Sequence, residues 1–229
     1  MKISGLIKLT LLDFPSHTAC CVFLQGCNFN CPFCYNSSLI NSNQSIVISI
    51  EEFFEFLKKR KNKLDGVAIS GGEPLLQPNI VDFIKKIKQE GFLVKLDTNG
   101  SFPEILQFLI EEKLVDYVAM DVKNTFEKYE MTINTKVDLN KIKESIDILL
   151  KNQVEYEFRT TVVKEFHNAD DFEIIGEMIK GASKYFLQSF LYKDSVLNKN
   201  LHALNKEELN ECLNKVKPYV KNVALRGIE

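Results

Sequence analysis

Cys27, Cys31 and Cys34 stand in one short segment, Gln25-Gly26-Cys27-Asn28-Phe29-Asn30-Cys31-Pro32-Phe33-Cys34-Tyr35-Asn36. Spaced C-x3-C-x2-C, three thiolates can turn toward one centre, and soft thiolates select iron–sulfur clusters or zinc. A structural zinc site or an electron-carrying four-iron cluster normally closes with a fourth ligand. Here no further cysteine follows until Cys212, and no His-x3-His pair accompanies the triad. Three ligands on a four-iron cluster leave one iron open to a substrate, which reads as catalysis. A zinc or redox loop completed by a distant residue is the bland alternative.

The elements that must hold this loop alternate along the chain. An apolar run at 19–24 reads as a strand delivering the cysteines. Ser49-Ile50-Glu51-Glu52 reads as a capping box opening a helix to about Arg60. Further strands are expected at 66–70, 92–97, 115–121, 154–163 and 185–191, with a short one at 222–225. Helices are expected between them, from Asn79 to a stop at Gly91, from a Ser101 cap with Pro103 behind it, and over 140–152, 170–180 and 206–216. Strand–helix alternation without hairpin signals implies parallel strands with right-handed crossovers. The expected fold is α/β, a partial (β/α)6 TIM-type barrel, with residues 1–229 forming one domain. The polar segment 124–138 after the fourth strand is the expected substrate-facing loop.

Composition narrows the function classes. Of 229 residues, 45% are hydrophobic, enough for one sizeable core, and the net charge of −2 is spread without a basic stripe. Neither nucleic acid nor an anionic membrane is an expected partner. The start, Met1 to Asp13, has an apolar run, but Lys8 interrupts it and no small-residue cleavage site follows, so no leader is expected. No stretch approaches the ~20 apolar residues of a membrane span. A cytoplasmic protein whose six cysteines are thiols and metal ligands is therefore expected. Cys20 and Cys21, adjacent on a strand, must point to opposite faces and cannot share a site.

The cysteine spacing, followed one β/α unit later by Gly71-Gly72-Glu73-Pro74, closely resembles the radical S-adenosylmethionine (SAM) superfamily. Leu96-Asp97-Thr98-Asn99-Gly100, Met120-Asp121-Val122-Lys123 and Glu157-Phe158-Arg159-Thr160-Thr161 resemble its glycyl-radical-enzyme activating proteins. Leu12-Asp13-Phe14-Pro15, Leu187-Gln188-Ser189-Phe190 and Leu225-Arg226-Gly227 are most similar to the anaerobic ribonucleoside-triphosphate reductase activating proteins. The resemblance implies that Cys27, Cys31 and Cys34 hold a 4Fe-4S cluster and that SAM chelates its fourth iron. It implies backbone contacts to the SAM amino group around Gly71, Gly72 and Glu73. Phe33 and Tyr35 would lie near the adenine, and Asn36 would also bind the cofactor. Asp97, Thr98, Asp121 and Lys123 would handle the ribose, the carboxylate and, in some relatives, a monovalent cation. Arg159, on the next strand, either faces the cavity and binds the cofactor or snorkels outward. Tyr35 is a departure, since His-Asn commonly follows the last cysteine in such proteins. The implied partners are a glycyl radical enzyme, first an anaerobic ribonucleotide reductase and otherwise pyruvate formate-lyase, and a flavodoxin- or ferredoxin-type electron donor. Radical chemistry on a small molecule or peptide is the second reading, and a cluster-bearing carrier or zinc-stabilised module the third.

Overall fold

The computed structural model describes residues 1–40 and 48–227. Its elements are β1 (Ile3–Thr10), β2 (Ala19–Leu24), α1 (Ile50–Arg60), β3 (Gly66–Gly71), α2 (Ile80–Gln89), β4 (Leu93–Thr98), α3 (Pro103–Glu111) and β5 (Tyr117–Asp121). There follow α4 (Tyr129–Ile133), α5 (Leu139–Leu150), β6 (Glu155–Val162), α6 (Ala169–Met178), β7 (Lys184–Ser189), α7 (Lys206–Val216) and β8 (Asn222–Arg226). All eight strands form one sheet in chain order. β2 through β8 are mutually parallel, while β1 runs antiparallel to β2 along the edge. Sequential order winds the sheet in one sense, and among the described residues β1 and β8 do not pair, so the barrel stays open there.

The expected strands are β2 to β8, each within a few residues of its sequence-based bounds. β1 was not expected. Only Ile3 of its eight residues is fully buried, because an edge strand with one open face shows little alternation. The Ser49 capping box forms with both of its bonds, and Asn168 and Asn205 open α6 and α7 in the same way. Ser101 does not cap α3. The cap position is Phe102, with Pro103 following it, and the Ser101 hydroxyl is bonded to Asn99 Oδ1 instead.

The two faces of the strands divide the work. Cys20, Val22, Val67, Ile69, Val118 and Phe158 belong to the core under the helices, joined there by Phe53 and Phe83, whose rings lie 5.4 Å apart. Alternation at period two turns the intervening residues inward. At the floor these are small or aromatic, with Phe14, Ala19, Tyr117 and Ala119 packed as a separate cluster. Above it the inward residues are ionic, Lys95, Asp97, Asp121, Glu157 and Arg159. A charged lumen cannot be filled by packing alone, so the chemistry-bearing residues face a cleft at the carboxyl ends of the strands.

The segment 124–138 is not an open loop. It carries α4, Asn124 and Tyr129 are fully buried, and the Ile133 carbonyl accepts from the Asn30 N–H at 3.1 Å. It buttresses the cysteine loop from behind.

Candidate active site

The cysteine loop is held by backbone on every side. Gly26 N–H donates to Leu39 O at 2.7 Å, and the Asn198 N–H to Pro32 O at 3.0 Å. Asn28 is fixed by Asn99 and Ser101 through two side-chain bonds of 2.9 Å. Thus anchored, Cys27, Cys31 and Cys34 all line one cleft of about 450 Å³, within the range of small-molecule sites. Among the described residues no three His, Cys, Asp or Glu side chains converge on one ion-sized point, so the thiols border a wider space. Burial pushes the Cys27 thiol up to about 12, Cys31 up to about 11, and Cys34 upward as well. Such thiols keep their protons unless a bound metal displaces them. Cys20 is buried in the helix-side core, Cys21 in the sheet and Cys212 in the core face of α7, all away from the cleft lining.

Gly71 and Gly72 line the same cleft, but the reason for glycine is the loop behind them. A Cβ on Gly72 would overlap the Gly26 carbonyl oxygen and lie 2.6 Å from its carbon. Gly71, at φ +117°, has equally little room against Leu24. The N–H groups of Gly72 and Glu73 donate to Leu24 O and Gly26 O at 2.9 and 2.8 Å. What the turn can offer a ligand is therefore carbonyl oxygen, the polarity an ammonium group needs. The Glu73 side chain is not part of the cleft lining. Its buried carboxyl accepts from Leu75 N, Thr98 Oγ1 and Asn99 N, at 3.0, 2.9 and 2.6 Å, bracing the turn to β4. Burial pushes it up to about 7 in spite of those three donors.

Asp97, Thr98, Asp121, Lys123 and Arg159 meet where sequence reasoning placed them, at the ends of β4, β5 and β6. Arg159 Nε donates to Asp121 at 2.9 Å and its Nη1 lies 3.6 Å from Asp97, while Lys123 Nζ reaches Asp121 at 2.8 Å. Burial alone would raise Asp121, yet Lys123 and Arg159 hold it down at about 2. Asp97 is lowered too, as Arg159 and Lys95 outweigh its burial. Lys95, unforeseen, contacts Asp97 from two residues away on the same strand face. The alternation of β4 could have found it. Thr161, Gln188, Arg226 and Asp13 also line the cleft without having been singled out as site residues.

The aromatic expectations fare unevenly. Phe33 lines the cleft, packed on Phe166 at 5.9 Å, with Lys123 Nζ 6.0 Å above its ring. Asn36 turns its amide toward Gly71 O at 3.4 Å. Tyr35 borders the cleft, but its ring stacks on Phe190 at 6.0 Å and its hydroxyl accepts from the Leu191 N–H at 2.6 Å. It latches the segment after β7 to the cysteine loop.

Comparison with known proteins points one way. A family model described as the radical SAM superfamily matches residues 21–179. A candidate glycyl-radical enzyme activating enzyme of Methanocaldococcus jannaschii is 37% identical over 236 residues, spanning 99% of this chain and 96% of the relative. A pyruvate formate-lyase-activating enzyme of Clostridium pasteurianum is 26% identical, across 97% of this chain and 98% of the relative. Among solved structures, a domain of a pyruvate-formate lyase-activating enzyme from Bacteroides vulgatus superposes with a TM-score of 0.57 at 19% identity. That match covers 71% of this chain and 99% of the domain.

Cys27→Ala, Cys31→Ala and Cys34→Ala should each lose most of the iron and sulfide bound after anaerobic reconstitution, while Cys20→Ala and Cys212→Ala keep it. Gly72→Val should join the first group. The sequence alone suggests damage to SAM use with the cluster intact, but the clash falls on Gly26 and so displaces the cysteine loop. A Gly72→Val protein with full iron content and lost SAM binding would restore the simpler view. Tyr35→Phe should leave iron content unchanged and speed amide exchange at Leu191, whose N–H loses its acceptor.

Proposed function

Because the chain belongs to the radical SAM superfamily, we propose that it is an activating enzyme that installs a glycyl radical on a partner enzyme. The observation that carries this reading is three thiols sharing one cleft with a carbonyl-presenting turn and a cation-rich strand end. Enzymes of this superfamily use a 4Fe-4S cluster and SAM. When bound, that pair supplies a one-electron cleavage of the SAM sulfonium, giving methionine and a carbon radical able to take a hydrogen atom.

The chain's own groups fit both cofactors. Cys27, Cys31 and Cys34 would hold the cluster through three thiolates. Gly71 and Gly72 would accept the SAM ammonium on their carbonyls. Lys95, Lys123 and Arg159 outnumber Asp97 and Asp121 by one, so this end of the cleft carries one surplus positive charge. That surplus suits the single carboxylate of SAM. It gives no electrostatic support to a monovalent cation at Asp97 or Asp121, whose charges are already balanced. Phe33 and Asn36 would border the adenine, and Thr98 the ribose. Glu73 and Tyr35 act one step back, on the turn and the latch.

The first candidate partner is an anaerobic ribonucleotide reductase, supported by the segments Leu12-Asp13-Phe14-Pro15 and Leu225-Arg226-Gly227. Pyruvate formate-lyase is the second, favoured by the full-length similarity to an activating enzyme of that name. A flavodoxin- or ferredoxin-type donor would supply the electron. No described helix is long and apolar enough to cross a membrane, and the reading places the protein in the cytoplasm with these partners. A radical of this kind is indiscriminate, so selectivity must come from holding one C–H bond beside it and excluding water.

The reduced holoprotein, incubated anaerobically with SAM and each candidate partner, should give a glycyl doublet by electron paramagnetic resonance. The signal should vanish when the target glycine becomes alanine. Absence of a doublet with either partner, together with many turnovers of a small metabolite, would replace this reading with the small-molecule one.

A further inference from the structure

Lys123 stands just past the regular part of the sheet. The β5–β6 pairing ends with Asp121 opposite Arg159, and Lys123 lies two residues beyond it. Two side chains hold its peptide groups there. The Lys123 N–H donates to the Tyr129 hydroxyl at 3.3 Å, and the Lys123 carbonyl accepts from His167 Nε2 at 2.9 Å. His167 belongs to the turn between β6 and α6, is only 5% exposed and is not part of the cleft lining.

The bonds around the imidazole fix its proton. A carbonyl can only accept, so the nitrogen that faces Lys123 O, Nε2, must carry hydrogen. Nδ1 is then bare and accepts from the Val163 N–H at 3.2 Å. The other neutral tautomer would set two lone pairs face to face at Lys123. A second proton, on Nδ1, would displace the Val163 N–H. The Val163 carbonyl, also 3.2 Å from Nδ1, already accepts from the Phe166 and His167 N–H groups at 3.1 and 3.0 Å. Burial holds the pKa of the ring below its usual value, outweighing the pull of its two backbone bonds. The charged groups that face the ring are Asp171, at the start of α6, and Lys128, ahead of α4. They pair with each other at 2.7 Å and act on the ring in opposite directions. A neutral ring with its hydrogen on Nε2 is the resting form.

We propose that His167 is a positioning residue for SAM: through Nε2 it clamps the Lys123 peptide and so aims the Lys123 ammonium at the SAM carboxylate. The proposal rests on the reading that gives Lys123 that carboxylate. A lysine side chain has four rotatable bonds, so its ammonium is placed well only if the backbone beneath it is fixed. Asp121, 2.8 Å from Lys123 Nζ, then steadies the other end. The turn touches the site in a second way, because Phe166 packs on Phe33 at 5.9 Å. A general disturbance of the turn would therefore reach the adenine side as well.

The test titrates reconstituted, cluster-bearing protein with SAM and with 5′-methylthioadenosine, which keeps adenine and ribose and lacks the amino-acid part. In His167→Asn the shorter side chain can still accept from the Val163 N–H but does not reach Lys123. Its Kd for SAM should rise about fivefold or more, the loss of one hydrogen bond. Its iron content should stay unchanged and its Kd for methylthioadenosine should move less than about twofold. His167→Gln, long enough to donate to Lys123, should bind SAM within about twofold of the unaltered protein. The ratio of those two Kd values should stay constant from about pH 6.5 to 8, where the lowered pKa keeps the ring neutral. Loss of iron from His167→Asn, or methylthioadenosine weakening in step with SAM, would make His167 a packing residue of the turn and overturn the clamp. So would a normal SAM Kd in His167→Asn, a His167→Gln protein as weak as His167→Asn, or a ratio that changes with pH. The glycyl doublet judges the activating-enzyme reading separately, because these titrations use no partner enzyme.

Discussion

The contact on which the site depends is backbone against backbone. Gly72 lies so close to Gly26 that no side chain fits between them, and two hydrogen bonds, Gly72 N–H to Leu24 O and Glu73 N–H to Gly26 O, tie the turn after β3 to the end of β2. The cysteine loop leaves from that junction. Its position relative to β3 to β6 is therefore set by hard-sphere exclusion and paired amides, which tolerate little drift. Glu73 extends the junction to β4 by spending its carboxyl on Leu75, Thr98 and Asn99. One turn thus fixes the thiols and the carboxylate-bearing strand ends in a common frame.

The same frame explains the opposite treatments of thiol and carboxyl groups. Burial acts on both by opposing charge. The three thiols have no fixed cation adequate to offset it and stay neutral until a metal binds. Asp121 and Asp97 have Lys123, Arg159 and Lys95 within reach and stay ionised. On the activating-enzyme reading, the thiol end would receive the cluster and the neighbouring charged end the amino-acid part of SAM. Preorganised charge of this kind needs no rearrangement at the moment of reaction.

Much of this was legible because local signals and chemistry coincide in the same residues. Ser49, Gly91 and the apolar runs marked elements that form where expected, and the cysteine spacing with Gly71-Gly72 marked the cleft. What was not legible shares one cause: it depends on neighbours distant in the chain. β1 shows weak alternation because it has one open face. Ser101 has the residue type of a cap but is claimed by Asn99 and Asn28. For Glu73 only a backbone contact was expected, and the brace its side chain makes to Thr98 and Asn99, twenty-five and twenty-six residues on, left no local signal. Tyr35 meets Leu191, 156 residues away. The segment 124–138 reads as polar, although Asn124 within it is bonded inward, to Thr132 and to the Phe166 carbonyl.

The charged lumen bears on why the barrel has this form. Ion pairs withdrawn from water are at best weakly stabilising, and apolar residues of similar volume often serve stability as well or better. Lys95, Asp97, Asp121 and Arg159 are nevertheless gathered inside the sheet, where each is mostly hidden from solvent. Cohesion must then come from the other face, where helix side chains such as Phe53, Leu57, Phe83 and Ile84 belong to the main apolar core. The sheet accordingly has one face that folds the chain and one that can be devoted to ligands. An interior committed to charge also cannot collapse into a dry core, and so the cleft persists between the cysteine loop and β8. Among the described residues β1 and β8 do not pair with each other, so the charged lumen stays open along that side instead of being sealed inside a closed barrel.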